Sequence, residues 1–320
     1  MPKNKKYVIG VDLGGTSIKV GVVTKEGKLV DKGFVDTLAS EGPKTVVKQI
    51  IKGIDQVIGG HKKEIAGIGI GSPGVVSMKK GTVKNPPNLP GWKNIQLGKL
   101  IEQEFKIRTV VENDANAAAI GELIFGAGRD LEDFIMITLG TGVGGGIIID
   151  KKIFRGQKGA AGEIGHMTID FNGPKCNCGS LGCLETYIGN SYLVERVGRQ
   201  LIENQSSKIY ELLDNNLNNL TPKIINDAAQ MNDAFANQAI VEAGKYLGYG
   251  LASVVNIFDI SNIIIGGGVA GFGKLLFDTV KGTIKERALS AIASRTKVLP
   301  AKLKNEAGIK GASALVFYRT

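Results

Sequence analysis

A glycine turn between two apolar runs occurs twice in this chain, and this repeat constrains the fold more than any other feature of the sequence. The first copy spans residues 7–23 and the second spans residues 134–149. In register, VDLG at 11–14 aligns with ITLG at 137–140. Similar strand and helix patterns follow each copy. The sequence therefore predicts two related α/β halves, each opened by a glycine-turned hairpin.

The remaining elements follow from the period and length of the apolar runs. Residues 43–58 place apolar side chains three and four positions apart, which is typical of an amphipathic helix. In the first half we predict strands at 7–13, 18–23, 29–36, 65–70 and 109–112, and helices at 43–58, 97–105 and 115–125. In the second half we predict strands at 134–139, 146–149 and 262–265, a helical region at 191–257 and a helix at 272–288.

The formal net charge of +10 is confined to the two ends of the chain. Residues 1–6 contribute +3 and residues 274–320 contribute +7, whereas residues 7–273 carry 27 basic and 27 acidic side chains. With 320 residues, of which 43% are apolar and 22% charged, the composition is that of an ordinary globular protein of about two domains. A basic face along the body is not expected, and we predict no nucleic-acid partner.

The apolar runs are too short for a membrane protein. None approaches the roughly 18 to 20 residues of a membrane span, and Asp12 interrupts the first run before a signal-peptide core could form. We expect a cytoplasmic protein without a membrane partner. Cys176, Cys178 and Cys183 lie within eight residues of one another, which suits a metal site in a reducing compartment better than a disulfide framework.

Three glycine clusters are candidate ligand sites. In DLGGTSIK, at residues 12–19, glycines would let the backbone N–H groups approach a phosphate, although a plain β-hairpin also explains them. The second hairpin, at 138–146, favours the first interpretation, because two glycine hairpins can clamp phosphates. The third cluster, at 266–268, follows a strand and precedes a helix, where it fits either an adenosine-binding wall or a tight turn.

Residues 112–114, Glu-Asn-Asp, end a predicted strand and open an alanine-rich helix. Asn113 or Asp114 could simply cap that helix. A carboxylate at the end of a strand is also well placed to accept a proton from a substrate hydroxyl, which is the task of the base in phosphoryl transfer. Both roles are compatible if one side chain caps the helix and the other faces the ligand.

A metal site is predicted from residues 162–185, which contain GEIGH and CNCGSLGCLE. His166, Cys176, Cys178 and Cys183 supply the four ligands of a closed tetrahedral zinc site, so the zinc would be structural. Three buried free thiols are the alternative. The absence of apolar periodicity in this glycine-rich loop counts against that alternative.

The sequence resembles the ROK family of sugar kinases and repressors, within the actin-like ATPase superfamily. The resemblance covers nearly the whole chain, because the family's motifs occur in the family's order. They are DLGGTSIK, GIGIGSPG, ENDANAAAIGE, TLGTGVGGG, GEIGH, CNCGSLGCLE and IIIGGG. Within the family, the chain is most similar to the bacterial ATP-dependent glucokinases.

This resemblance implies an α/β fold of two ribonuclease-H-like domains with a cleft between them. The expected domains are 1–118 plus 307–320, and 119–306 with a zinc loop at 166–183. The implied reaction is ATP-dependent phosphorylation of glucose at its 6-hydroxyl, with Asp114 as the general base. Glucose and ATP are the expected partners, magnesium and zinc the expected metals, and a homodimer or homotetramer the expected assembly.

The resemblance also implies roles for individual residues. The sugar would be bound by Asn113, Asp114, Glu163, His166, Glu185 and Gly74. ATP and magnesium would be bound by Asp12, Gly14, Gly15, Thr16, Lys19, Thr141, Gly142, Gly267 and Gly268. Zinc would be bound by His166 and the three cysteines, and would fix one ring nitrogen of His166 while the other faces the sugar.

Several alternatives remain within and beyond the enzymes. The acceptor could be fructose, mannose, allose or N-acetylmannosamine, since discrimination at C2 and C4 depends on the loop at 85–92, and polyphosphate could replace ATP. A sugar-sensing ROK repressor is a different class, but its amino-terminal helix-turn-helix is not expected here, because the first strand starts at Tyr7. A polymerising actin-like ATPase would need neither GEIGH nor the zinc loop.

Overall fold

The computed structural model describes residues 5–214 and 216–318, so Lys3 and Arg319 of the predicted basic ends lie outside the described residues. The strands are β1 (Tyr7–Leu13), β2 (Ser17–Thr24), β3 (Leu29–Asp36), β4 (Ile65–Ser72), β5 (Val75–Ser77), β6 (Thr82–Lys84), β7 (Thr109–Asn113), β8 (Phe134–Leu139), β9 (Val143–Ile149), β10 (Lys152–Ile153), β11 (Asn262–Gly266) and β12 (Lys297–Pro300). The helices are α1 (Pro43–Ile58), α2 (Leu97–Phe105), α3 (Asp114–Phe125), α4 (Glu185–Ile188), α5 (Asn190–Leu201), α6 (Ile209–Leu212), α7 (Pro222–Gln230), α8 (Ala234–Phe258), α9 (Lys274–Arg287), α10 (Ser290–Ala293) and α11 (Ala307–Phe317).

The two large sheets have the same strand order, which confirms the predicted repeat. The first has the order β3-β2-β1-β4-β7 and the second has the order β10-β9-β8-β11-β12. In the first, β1 to β3 are antiparallel and β1, β4 and β7 are parallel. In the second, β8, β11 and β12 are parallel in the same way. Each sheet is thus a meander extended by two parallel strands.

The chain divides into two compact units. One comprises residues 1–132, 146–161 and 301–320, and the other comprises 133–145 and 162–300. These bounds differ from the predicted division after residue 118, because that position lies in the middle of α3. α11 belongs to the first of these units.

The sheet of the first unit is covered by helices on both faces. Ile9 and Val11 of β1 belong to a core cluster that includes Ile50 and Ile54 of α1, whereas Val8 packs with Ile309 on the opposite face. This alternation is the two-residue period of a strand.

Two glycines let α11 lie close to this second face. A Cβ on Gly10 of β1 would overlap the backbone of Ile309, and one on Gly69 of β4 would overlap the backbone of Ala312. Any larger residue at either position would push α11 away from the sheet. These two glycines therefore serve the packing of α11 on the sheet.

In the second unit, the predicted helical region at 191–257 is divided into α5 to α8. Thr221 accepts the Ile224 N–H and Pro222 occupies the first turn of α7, so a new helix must begin there. Asp233 caps α8 in the same way. β12 was not predicted, because its four residues carry no clear apolar alternation.

Candidate active site

The turn between β1 and β2 is fixed by two hydrogen bonds from Thr37. The Thr37 hydroxyl donates to the Gly14 carbonyl oxygen over 2.7 Å, and the Thr37 N–H donates to the Thr16 carbonyl over 2.9 Å. A Cβ on Gly15 would come within 2.9 Å of the Asn88 Cβ, so a larger residue would displace the loop at 85–92. Thr16 itself remains exposed, with its hydroxyl available to a ligand.

Asp12 and Lys19 lie opposite each other on this hairpin, as register partners of β1 and β2. Asp12 is half-buried, and burial raises the pKa of its carboxyl group above the ordinary range, while the Lys19 ammonium acts in the opposite direction. The negative charge of Asp114 adds a smaller upward shift to the pKa of Asp12. Two carboxylates that influence each other are a suitable setting for a divalent cation.

Asn113 is the N-cap of α3, as one of the two sequence interpretations predicted. Its Oδ1 accepts the N–H groups of Ala115 (3.0 Å) and Asn116 (3.1 Å), and its Nδ2 donates to the Gly74 carbonyl over 3.2 Å. Gly74 has φ +86, a conformation that favours glycine, and a Cβ there would lie 2.7 Å from the Pro86 Cα. The Asn113 side chain also hydrogen-bonds to the Asp114 carboxyl group, which lowers the pKa of that group.

Asp114 is the first residue of α3 and retains solvent-exposed surface. The surrounding protein nevertheless removes enough water to raise the pKa of its carboxyl group, and the hydrogen bond from the Ala115 N–H (2.9 Å) only partly opposes this shift. A carboxylate with a raised pKa is better matched to proton transfer near neutral pH than an ordinary aspartate. Gly71 of β4 lies between the strands that carry Asp12 and Glu112.

The turn between β8 and β9 is joined to Glu185 at the start of α4. The Gly140 N–H donates to the Gly142 carbonyl over 2.9 Å, and Thr141 at the tip is exposed. Glu185 Oε2 accepts the Val143 N–H over 2.9 Å. A Cβ on Gly142 would overlap the Glu185 carboxylate, so glycine is required for this approach.

His166, Cys176, Cys178 and Cys183 form a cluster whose donor atoms all lie within 4.8 Å of one another. His166 Nδ1 is 3.7 Å from Cys176 Sγ, and the Sγ atoms of Cys178 and Cys183 are 3.6 Å apart. A tetrahedral zinc ion with Zn–S bonds of about 2.3 Å would set sulfur atoms roughly 3.8 Å apart, so this donor set fits zinc. The contact through Nδ1 leaves Nε2 of His166 for another partner.

The surroundings of the three thiols shift their pKa values in different directions. Burial raises the pKa of Cys176, and it raises the pKa of Cys183 to about 12. A hydrogen bond from the Ser180 N–H lowers the pKa of Cys178. Neutral buried thiols require the positive charge of a metal ion to become thiolate ligands.

Glu163 and His166, the polar residues of GEIGH, are both exposed. The segment packs on the β8–β9 hairpin, because a Cβ on Gly165 would overlap the Val143 backbone. The Glu163 carbonyl accepts the His166 N–H over 3.0 Å, which turns the segment into a short helix. GEIGH, the zinc cluster and Glu185 thus belong to one assembly within the second unit.

A cavity of about 280 Å³ lies beside the third glycine cluster. Gly140 and Gly268 line it, and a Cβ on either would have no protein atom within 4 Å. The other lining residues are Leu139, Asn190, Thr221, Pro222, Lys223, Asn226, Val269, Gly271 and Phe272. The lining residues that the sequence did not predict are Asn190, Thr221, Pro222, Lys223, Asn226, Val269, Gly271 and Phe272. The Thr-Pro helix start at 221–222 is a visible signal in the sequence, but it does not indicate a ligand.

The structure therefore gathers the predicted residues into two groups. Asp12, Gly14 to Thr16, Lys19, Gly74, Asn113 and Asp114 belong to the first unit. Thr141, Gly142, Glu163, Glu185, the zinc cluster, Gly267 and Gly268 belong to the second. Within residues 5–214 and 216–318, no helix has both the length and the apolar character needed to cross a membrane.

Two sheets of the same strand order, with glycine hairpins and an aspartate at a strand end, place this fold in the actin-like ATPase class. The ROK family profile matches residues 8–318, and the chain belongs to the ROK family, as its motifs predicted.

Three proteins similar to this chain are two glucokinases and one repressor. The glucokinase of Halalkalibacterium halodurans is 37% identical over 316 residues, which cover 97% of this chain and 95% of the relative. A ROK family glucokinase from Streptomyces griseus, solved in complex with glucose and AMPPNP, has TM-score 0.87 and 37% identity, and the match covers 97% of this chain and 98% of that one. The xylose repressor of Caldicellulosiruptor bescii is 33% identical, over 98% of this chain and 79% of the repressor.

Proposed function

We propose that this protein transfers the γ-phosphoryl group of ATP to the 6-hydroxyl of glucose. The observation that carries the proposal is the setting of Asp114. This carboxylate lies at the start of α3, it is electrostatically coupled to Asp12, and its pKa is raised by its surroundings. The glucokinase relative and the glucose and AMPPNP complex of the solved relative support the choice of both substrates.

In the proposed reaction, Asp114 accepts the proton of the 6-hydroxyl while that oxygen attacks the γ-phosphorus in line. The bond to the β-phosphate oxygen breaks, so the products are glucose 6-phosphate and ADP. Because the hydrogen bond from the Ala115 N–H uses Oδ1, Oδ2 of Asp114 is the oxygen available for the proton. Positioning and charge stabilisation supply the rest of the rate enhancement in such transfers.

The sugar is held by hydroxyl-directed polar groups. Asn113 donates to the sugar through Nδ2, and Gly74, whose carbonyl oxygen also accepts from Asn113 Nδ2, contributes its backbone. Glu163, His166 through Nε2, and Glu185 bind further hydroxyl groups. A site that pairs substrate hydroxyls in this way strongly rejects analogues that lack them.

The nucleotide is held mainly by backbone groups. Gly14, Gly15 and Thr16 in the first hairpin, and Thr141 and Gly142 in the second, bind phosphate oxygens. Lys19 adds a positive charge, and Asp12 would hold magnesium. When bound, magnesium would neutralise the charge that develops on the phosphates. Gly268 borders the cavity that takes the adenosine, and Gly267 shapes the adjoining turn.

Zinc is structural in this proposal. His166, Cys176, Cys178 and Cys183 would hold it, and the ion would supply a fixed ligand geometry and a positive charge. Zinc would affect sugar binding only indirectly, because it would fix the ring of His166 through Nδ1. Since the three cysteines must stay reduced to serve as ligands, we place the protein in the cytoplasm.

The test is a coupled ADP-release assay on the purified protein across a panel of hexoses, with ATP and with polyphosphate. We expect turnover with glucose and ATP, and a loss of at least about 1,000-fold in kcat for Asp114→Asn, in line with removal of a base. Asp130→Asn, at an exposed turn after α3, is the matched control and should keep wild-type turnover. Absence of turnover on every hexose would refute the kinase assignment, and substantial activity in Asp114→Asn would refute the base.

A further inference from the structure

Glu112, the residue before Asn113 and Asp114, is a buried carboxylate to which the proposed reaction assigns no task. Its side chain is 1% exposed. An ionised carboxylate in such surroundings is strongly unfavourable unless it is paired and hydrogen-bonded. Glu112 meets both conditions, since its two oxygens face different partners.

One oxygen of Glu112 holds the backbone that carries Asp114. Oε1 accepts the Asn113 N–H over 3.0 Å and lies 3.3 Å from Nδ2 of Asn116. Asn113 is the last residue of β7 and Asn116 lies in the first turn of α3. The carboxylate therefore ties the strand end to the helix start on both sides of Asp114.

The other oxygen is held by Arg155. Its Nε donates to Glu112 Oε2 over 2.7 Å, and its Nη2 lies 3.0 Å from Met78 Sδ. The Arg155 side chain is only 20% exposed. Two residues earlier, the Ile153 N–H donates to the Tyr318 hydroxyl over 2.7 Å, so the segment that carries Arg155 is itself anchored beyond α11.

We infer that the Glu112–Arg155 ion pair is a positioning element that sets the place of the Asp114 carboxylate. Neither side chain touches the substrate in this inference, and both act through the backbone of Asn113 and the amide of Asn116. The inference rests on the proposed function for its catalytic consequence. Displacement of a catalytic group by about 1 Å can lower a rate by roughly 100-fold, so a rigid support of this kind matters.

Arginine is required because the two contacts use different nitrogens of one planar group. Lysine could pair with Glu112 but could not reach Met78 at the same time. We expect Arg155→Met to lower kcat by about 10- to 100-fold, and Arg155→Lys to restore part of that loss. The dissociation constant for glucose, measured by calorimetry, should change by less than about threefold, since most of the sugar ligands are unaffected.

The control is Arg199→Met, because the Arg199–Glu195 pair on α5 is exposed on both sides and should not affect turnover. Amide hydrogen exchange provides a readout that does not depend on the reaction. Arg155→Met should accelerate exchange at Asn113, Ala115 and Asn116, and Arg199→Met should not.

The outcomes separate the inference from the proposed function. If wild-type protein has no hexokinase activity, the proposed function fails, and the exchange rates still decide whether the pair supports this strand end. Unchanged exchange at the three amides in Arg155→Met overturns the inference. If the wild-type protein is active, an unchanged kcat in Arg155→Met also overturns the inference. An equal fall in kcat in Arg155→Met and Arg199→Met overturns it as well.

Discussion

Gly267 and Gly268 are neighbours, but they lack a side chain for different reasons. Gly267 has φ +92, and a Cβ there would overlap the Leu139 backbone, so the fold itself requires glycine. Gly268 has an ordinary helical conformation and open space around its Cβ position, and it borders the proposed adenosine cavity. The sequence showed three glycines in a row, and only the backbone geometry separates these two tasks.

This difference predicts that a substitution at Gly268 changes ATP binding, whereas one at Gly267 changes stability. Gly268→Val should raise the KM for ATP about tenfold or more, because overpacking a site costs about 1–3 kcal/mol, while the melting temperature stays within a few degrees. Gly267→Ala should destabilise the fold by about 1–3 kcal/mol. Thermal unfolding and ATP kinetics on both variants measure the contrast. If Gly268→Val has a wild-type KM for ATP, the adenosine does not bind in this cavity.

The raised pKa of Asp114 predicts a pH dependence of both activity and stability. The base must be ionised, so kcat/KM should fall with decreasing pH at a value above the ordinary aspartate pKa of about 3.9. The folded state binds this proton more tightly than the unfolded state does. Ionisation at pH 7 therefore opposes folding, and this penalty disappears as pH falls below the unfolded pKa.

Asp114→Asn should consequently have a higher melting temperature than wild type at pH 7, and the difference should shrink towards pH 4. The asparagine oxygen can still accept the Ala115 N–H, so the helix start is preserved. Melting curves between pH 4 and pH 8 test this, with Glu104→Gln on the exposed side of α2 as the control. A variant less stable than wild type at pH 7 would contradict the assignment of a strained carboxylate.

At the scale of elements, the segment from 166 to 185 depends on side chains more than on regular structure. Isolated bridges pair Thr168 with Cys183 and Lys175 with Leu181, and the Tyr187 hydroxyl donates to Asp170 Oδ2 over 2.8 Å. The spacing of one histidine and three cysteines was sufficient to predict their cluster. The link from Glu185 to the Val143 N–H could not be predicted, because 42 residues separate the partners.

Cys178→Ser should lose zinc and glucose affinity together. Removal of one ligand leaves the remaining thiols without a full coordination shell, and the ring of His166 is then no longer fixed. Metal content by mass spectrometry and glucose titration by calorimetry measure both effects. Ser180→Ala, an exposed position in the same loop, should keep both. If zinc is lost and the affinity for glucose is unchanged, the metal does not support the sugar site.

For the whole molecule, the repeated hairpin was enough to predict two related halves, because the strand order that follows it is the same in both sheets. α1 has the predicted bounds, since its apolar positions keep a strict helical period. β9 begins at Val143, earlier than predicted, because three consecutive glycines resemble a turn in sequence and pair as a strand in three dimensions. The pairing of Glu112 with Arg155 and the lining of the proposed adenosine cavity depend on contacts between distant segments, which local patterns do not encode.

The position of α11 on Gly10 and Gly69 has a consequence for synthesis. Among the described elements α11 comes after every strand in chain order, and it packs on β1, which comes before the other strands. During translation the sheet of the first unit therefore has one uncovered apolar face until residues 307–317 have been synthesised. Nascent chains halted before residue 307 should bind chaperones that recognise such surfaces, and chains in which α11 has emerged from the ribosome should no longer bind them.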